Sequence, residues 1–70
     1  MEVFVITDDF IQLNQLLKVM NWCESGAQAN IAIEDGTVKV NGKKETRKRN
    51  KLYDGFVIEY NKQKVRVKKE

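Results

Sequence analysis

The first apolar run in the chain, Val3-Phe4-Val5-Ile6, is short and rich in β-branched residues, which predicts a strand. Thr7-Asp8-Asp9 follows, offering N-cap side chains and early acids that complement a helix dipole. From Phe10 the apolar positions fall at 10, 13, 16, 17 and 20, and this helical spacing predicts a helix over Phe10–Met20. Asn21-Trp22-Cys23-Glu24 interrupts the pattern. Ser25-Gly26-Ala27-Gln28 then has the form of a capping box, with a Ser hydroxyl for an early amide and a Gln side chain reaching back to the cap. Ala27, Ala29, Ile31, Ala32 and Ile33 continue as a second, short helix. Gly36 stands where a left-handed residue would close it. Two helices joined by about four residues make a helical hairpin.

After Gly36 the period changes to two. Val38 and Val40 point one way, and Thr37 and Lys39 the other. Asn41-Gly42 is the strongest two-residue hairpin signal in the chain. A dense basic run follows on a returning strand or loop, and Asp54-Gly55 marks a second turn. Phe56, Ile58 and Tyr60 share one strand face. Asn61-Lys62-Gln63 reads as a turn, and Val65 and Val67 then alternate with Lys64, Arg66 and Lys68. The expected fold is α+β, in the order β-α-α-β-β-β-β, with the helical hairpin packed on a small, mainly antiparallel sheet. Phe4, Phe10 and Phe56 are expected in the core, with Tyr60 on its face and Trp22 packed over the helical hairpin.

Size narrows the function. Seventy residues make one domain, 1–70, and a chain of this size buries only about 60% of the surface it exposes unfolded. Ordering it costs on the order of 100 kcal/mol of conformational entropy, so nearly every apolar residue must serve the core. Little remains to build a deep catalytic pocket. There is no His, hence no imidazole base and none of the commonest metal ligand. The one cysteine, Cys23, can form neither an internal disulfide nor a cysteine-rich zinc site. Asp8-Asp9 reads more simply as a helix start than as an acid–base pair. No enzyme activity, cofactor or metal is expected. No apolar run approaches the ~20 residues of a membrane span, and no basic-then-apolar leader is present. These absences point to a reducing cytoplasm, and nothing argues for more than a monomer.

Charge changes the picture more than size does. Residues 1–35 carry one base against six acids, a net of −5, while residues 36–70 carry twelve bases against four acids, a net of +8. Such a polarised domain has a basic face, which attracts polyanions. The run from Lys43 to Lys51 holds six bases in nine positions. Like charges at that density repel, so folding alone does not favour them.

The stretch from Leu13 to Ile58 resembles the alpha-L RNA-binding domain, first named for ribosomal small-subunit protein four. The similarity rests on Leu13, Asn14 and Leu17, on Ser25, Ala29, Ala32, Ile33 and Gly36, and on the element Gly36-x-Val38-x-Val40-Asn41-Gly42, with Gly55 at the closing glycine. Gln12, Asn14, Gly26 and Phe56 depart from that pattern, and two of these positions carry arginines in the family. Glu24-Ser25-Gly26-Ala27-Gln28-Ala29 and Glu45-Thr46-Arg47-Lys48-Arg49 are similar to small stand-alone bacterial members of the YbcJ/YaaA type. The resemblance implies a non-catalytic binder of structured RNA, ribosomal or tRNA-like.

The residues themselves lead the same way. A groove between the helical hairpin and the Asn41-Gly42 hairpin, lined by polar residues of the second helix and outward lysines, would read RNA by shape. Arg47, Lys48, Arg49 and Lys51 are the first candidates for phosphate, with the Arg fork matched to it and Lys a point charge. Lys39, Lys43 and Lys44 flank the hairpin turn. Gln28 is either a capping partner or an RNA contact at the free amides of a helix start. Lys62, Lys64, Arg66, Lys68 and Lys69 suit general attraction. Tyr53 and Tyr60 could stack on bases. Glu34-Asp35 at a helix C-terminus has no evident reason, since acids are unfavourable there. The rival reading is a small basic adaptor docking on an acidic protein.

Overall fold

The computed structural model describes all 70 residues. The elements are β1 (Glu2–Ile6), β2 (Ile11–Gln12), α1 (Leu13–Val19), α2 (Gly26–Glu34), β3 (Val38–Val40), β4 (Lys43–Lys44), β5 (Lys51–Leu52), β6 (Val57–Tyr60) and β7 (Gln63–Lys69). Five strands form one sheet in the order β1-β7-β6-β3-β4, and β2 and β5 form a separate two-stranded piece. The β1–β7 pair is parallel, Phe4 lying opposite Val67, and the other pairs are antiparallel. The first and last strands therefore lie side by side, and everything between them forms the crossover.

Alternation decides which face of the sheet is covered. Val38, Ile58, Val65 and Val67 are fully buried, while Lys39, Lys64, Arg66 and Lys68 point away. The helices lie on the valine face. α1 contributes Leu13, Leu16 and Leu17, and α2 contributes Ala29 and Ile33, at the i, i+3 and i+4 spacings of one helix face. With Leu52 of β5 these side chains belong to a 14-residue core. Burying a Leu side chain stabilises by about 1.5–3 kcal/mol, so the three leucines of α1 are its principal anchor. Phe4, Phe56, Tyr60 and Trp22 pack against this core while staying partly exposed, and the Trp22 ring lies 6.5 Å from that of Tyr60. Phe10, expected inside, is half-buried and outside the cluster.

The turn chemistry follows the sequence closely. Ser25 Oγ accepts from the Gln28 amide at 3.2 Å, and Gln28 Oε1 accepts from the Glu24 amide at 3.3 Å, so the return bond of the capping box lands one residue before the cap. Gly36 is left-handed at φ +78°, with its own amide bonded to Ile33 O and that of Thr37 bonded to Ala32 O. That pairing is a Schellman close. α1 ends the same way, with Asn21 left-handed at φ 60° and the amides of Asn21 and Trp22 bonded to Lys18 O and Leu17 O. Both two-residue hairpins have positive φ at both central residues, Asn41-Gly42 (53° and 83°) and Asn61-Lys62 (51° and 67°). This is the turn whose twist matches paired strands.

The start of the first helix differs from the expectation. α1 begins at Leu13, not Phe10, because Ile11 and Gln12 pair as a strand with Leu52 and Lys51. Gln12 occupies the cap position without a side-chain bond. Asp8 and Asp9 lie upstream of the helix and do not start it. The Asp9 carboxylate instead binds the Lys69 ammonium, which holds the carboxyl below its ordinary value and raises the lysine. The inter-helix segment, residues 20–25, is also longer than expected, because Met20 and Ser25 serve as caps outside the helices.

Candidate nucleic-acid interface

The basic run is held in place by its backbone before its side chains matter. Lys43 and Lys44 form β4, paired with Val40 and Lys39. The Glu45 amide continues that edge to Val38 O at 3.0 Å. At the other end Lys51 and Leu52 pair with β2. Between them the loop docks on the start of α1. The Leu13 amide donates to Asn50 O at 2.9 Å, and the Asn14 amide donates to Lys48 O at 3.0 Å. The first amides of a helix have no partner within it. Here the loop's carbonyls serve them in place of a side-chain cap. The Asn14 side chain donates to Asn30 Oδ1 at 2.9 Å, tying α1 to α2 beneath the loop.

Glu45 is the internal hinge pin of the loop. Its carboxylate accepts from the Arg47 amide and from Arg47 Nε, both at 2.9 Å, from Arg47 Nη2 at 3.1 Å, and from Asn50 Nδ2 at 3.3 Å. The bonds from Arg47 hold the Glu45 carboxyl below its ordinary value and raise the guanidinium. Only 14% of the Glu45 side chain is exposed, against 75% of Arg47. Arg47 thus stands in solvent with much of its charge already answered. Lys48 turns to Glu34 of α2, 3.5 Å away, which gives that acid a role the sequence did not suggest.

Lys43, Lys44, Arg49 and Lys51 have no carboxylate within salt-bridge distance. All four, with Arg47, line one open groove of about 890 Å³ between the β3–β4 hairpin and the loop. Val40, Asn41, Glu45, Asn50, Tyr53 and Phe56 complete its wall. The stem of Lys44 lies across Gly36, where a Cβ would stand 3.0 Å from Lys44 Cδ, a contact this flexible side chain can relieve, so that glycine is required for its φ of +78°.

Three of the expected residues lie elsewhere. Lys39 projects from the uncovered face of the sheet, in register with Lys44 on one side and Glu59 on the other. Lys48 faces α2. Gln28 is engaged in its capping box and borders a different concavity, shared with Trp22, Ile31 and Tyr60. The groove therefore lies between the hairpin and the basic loop, and polar residues of α2 do not line it. Cys23 is buried in the inter-helix segment, and burial pushes its thiol up, away from reactivity. No three His, Cys, Asp or Glu side chains gather so as to hold a metal ion.

The S4 domain model matches residues 4–68. The chain belongs to the S4 domain family. It is 49% identical to YbcJ of Escherichia coli (strain K12) over 57 residues, 81% of each chain, and it matches YbcJ of Shigella flexneri to the same extent. The solution structure of the E. coli protein, described as revealing an alfaL motif involved in RNA binding, superposes with a TM-score of 0.73 at 43% identity. That match covers 97% of this chain and 87% of the other. The 30S ribosomal protein S4e of Thermoplasma acidophilum superposes with a TM-score of 0.64 at 25% identity, over 86% of this chain and 32% of the ribosomal protein. The two helices packed on a mainly antiparallel sheet are thus the alpha-L arrangement.

Proposed function

We propose that this chain is a non-catalytic, monomeric binder of structured RNA, ribosomal or tRNA-like, acting through the groove between the β3–β4 hairpin and the 45–51 loop. One observation carries the reading. Four cations without a carboxylate partner, Lys43, Lys44, Arg49 and Lys51, line a groove whose backbone is already fixed at both ends and on α1. Because the backbone beneath these side chains is already fixed, binding has to order only the side chains themselves. Arg49 can take a phosphate through two parallel bonds, and the lysines act as point charges. Arg47 also lines the groove but is held by Glu45, and Lys48 and Lys39, outside the groove, add only long-range attraction. The description of the YbcJ motif as involved in RNA binding supports the same partner class.

A-form RNA presents 2′-hydroxyls and a wide, shallow minor groove, which a shallow surface with few base-reading side chains distinguishes from DNA by shape. The test is binding to a folded ribosomal RNA fragment and to a matched DNA duplex, each across a salt series. Tight, steeply salt-dependent RNA binding with weaker DNA binding is expected. Equal, feeble binding to both would overturn the reading and favour the adaptor.

A further inference from the structure

The basic groove contains an aromatic that the charges do not explain. Tyr53 is 44% exposed and lines the groove beside Arg49 and Lys51. It follows Leu52, which is fully buried, so strand alternation turns it outward. Its ring is nevertheless not free to swing. The Phe10 ring lies 5.9 Å away at 52°, and the Phe56 ring 5.8 Å away, edge-on at 68°. Lys51 Nζ stands 4.9 Å from the Phe10 centroid. The backbone is fixed as well, with the Phe56 amide bonded to Tyr53 O at 3.0 Å across a turn whose Gly55 has φ +89°. Two phenylalanines spend their own partial burial holding a tyrosine that stays half in water. Core packing alone would have drawn the ring inward.

A rigid, half-open ring flanked by unpaired cations suits one kind of ligand surface, a nucleobase face with phosphates on either side. Base–aromatic stacking needs only a π-face and the cations supply the backbone contacts. An uninterrupted duplex offers no such face, because every base is already stacked between its neighbours. Unpaired bases in bulges, loops and strand ends do offer one. We propose that Tyr53 is a stacking platform for a single unpaired nucleobase, so that the groove selects folded RNA carrying a bulged or looped-out nucleotide over a continuous duplex. This inference rests on the RNA-binding reading above.

The experiment uses two RNA hairpins of equal stem length, one continuous and one with a single 2-aminopurine bulge. Binding is measured for the wild-type chain, Tyr53→Phe and Tyr53→Leu. Leu keeps an apolar contact with Phe10 and Phe56 but removes the π-face, and the melting temperature of each variant checks the fold. The bulged hairpin should bind more tightly, with a change in 2-aminopurine fluorescence on binding. Tyr53→Leu should weaken the bulged hairpin by about 5- to 150-fold, while shifting the continuous one less than about twofold. Tyr53→Phe should keep the preference. Equal binding of the two hairpins, or equal loss on both with Tyr53→Leu, overturns the stacking platform and leaves RNA binding standing. Failure of the wild type to bind either hairpin overturns RNA binding and the platform with it.

Discussion

The two arginines of the loop look alike in sequence, yet their surroundings assign them different work, and salt dependence can separate them. Arg49 has no carboxylate partner, whereas Arg47 is held through Nε and Nη2 by Glu45. Each phosphate neutralised by a cation releases counterions and contributes about 0.7–0.9 to the slope of log K against log salt. Four free cations therefore predict a wild-type slope of about −2.8 to −3.6, and an affinity loss of roughly 50- to 150-fold between 50 and 200 mM salt. Arg49→Gln should reduce the slope by about 0.7–0.9 and weaken binding at 0.15 M salt by roughly fivefold, extrapolating one contact from 1 M. The matched perturbation is Glu45→Gln with Arg47→Gln, which removes a charge of each sign and leaves the net charge unchanged. If Arg47 stays with Glu45 in the complex, this double variant keeps the wild-type slope within about 0.3. The assay is fluorescence anisotropy with a labelled RNA hairpin at five salt concentrations, with circular dichroism to verify the fold. A double variant whose slope falls as far as that of Arg49→Gln would show that Arg47 releases Glu45 and takes a phosphate, and would refute the division of labour between the two arginines.

Two further predictions concern stability. Glu45→Gln should cost about 1 kcal/mol at pH 7, the scale of a largely covered, multiply bonded carboxylate whose main partner, Arg47, stands in solvent. Because the folded carboxyl titrates below its ordinary value of 4.5, that stabilisation is complete above 4.5 and is lost as pH falls through the depressed value. Urea unfolding from pH 7 to pH 3 should show the gap between the two proteins narrowing as pH falls below 4.5, and a gap that does not change over that range would rule out the carboxylate as its source. Lys62→Gly should stabilise the chain by about 0.5–1 kcal/mol, because Lys62 holds φ 67° at a position that favours glycine. A thermal melt should rise by about 2–8 °C for a domain of this size, and an unchanged or lower midpoint would show that the turn carries no strain.

Features set within a few residues were legible in the sequence, and features set by distant backbone were not. The capping box at Ser25–Gln28, the left-handed Gly36, the Asn41-Gly42 turn and the alternation of β6 and β7 all depend on neighbours within about five positions. The start of α1 does not. Thr7-Asp8-Asp9 offers sound local cap chemistry, but Ile11 and Gln12 pair with a segment forty residues away, and that pairing moves the helix start to Leu13. Asn21 closes α1 as Gly36 closes α2, and the cue was only an Asn after an apolar helical run. At the site, the density of bases marked the right stretch of chain. Which bases are free was hidden, because it depends on Glu45 folding back two residues and on Glu34 arriving from α2. Gln28 could be read two ways, and its bonds to Ser25 Oγ and the Glu24 amide account for it. Tyr53 carried a weak signal, an aromatic two positions past the last base of the run, and only its approach to Phe10 and Phe56 gives it meaning.

A run of six bases in nine residues needs a reason to stay ordered, since two like charges about 7 Å apart in water repel by about 0.6 kcal/mol and several such pairs occur here. The structure answers with Glu45 inside the loop, Glu34 beside it and the amides of α1 beneath it. The last of these has a consequence for binding. The first amides of α1 carry the partial positive charge that would otherwise attract a phosphate. They are taken by the carbonyls of Lys48 and Asn50, so the helix end next to the groove cannot also serve as an anion site. Phosphate attraction then falls on the side chains of Lys43, Lys44, Arg49 and Lys51, which salt screens fully, instead of on buried amides, which salt screens less. The same docking joins the groove to α1, whose Leu13, Leu16 and Leu17 are fully buried. The cationic surface is thus positioned by the core itself, and the loop cannot loosen without exposing amides of the helix that anchors the fold.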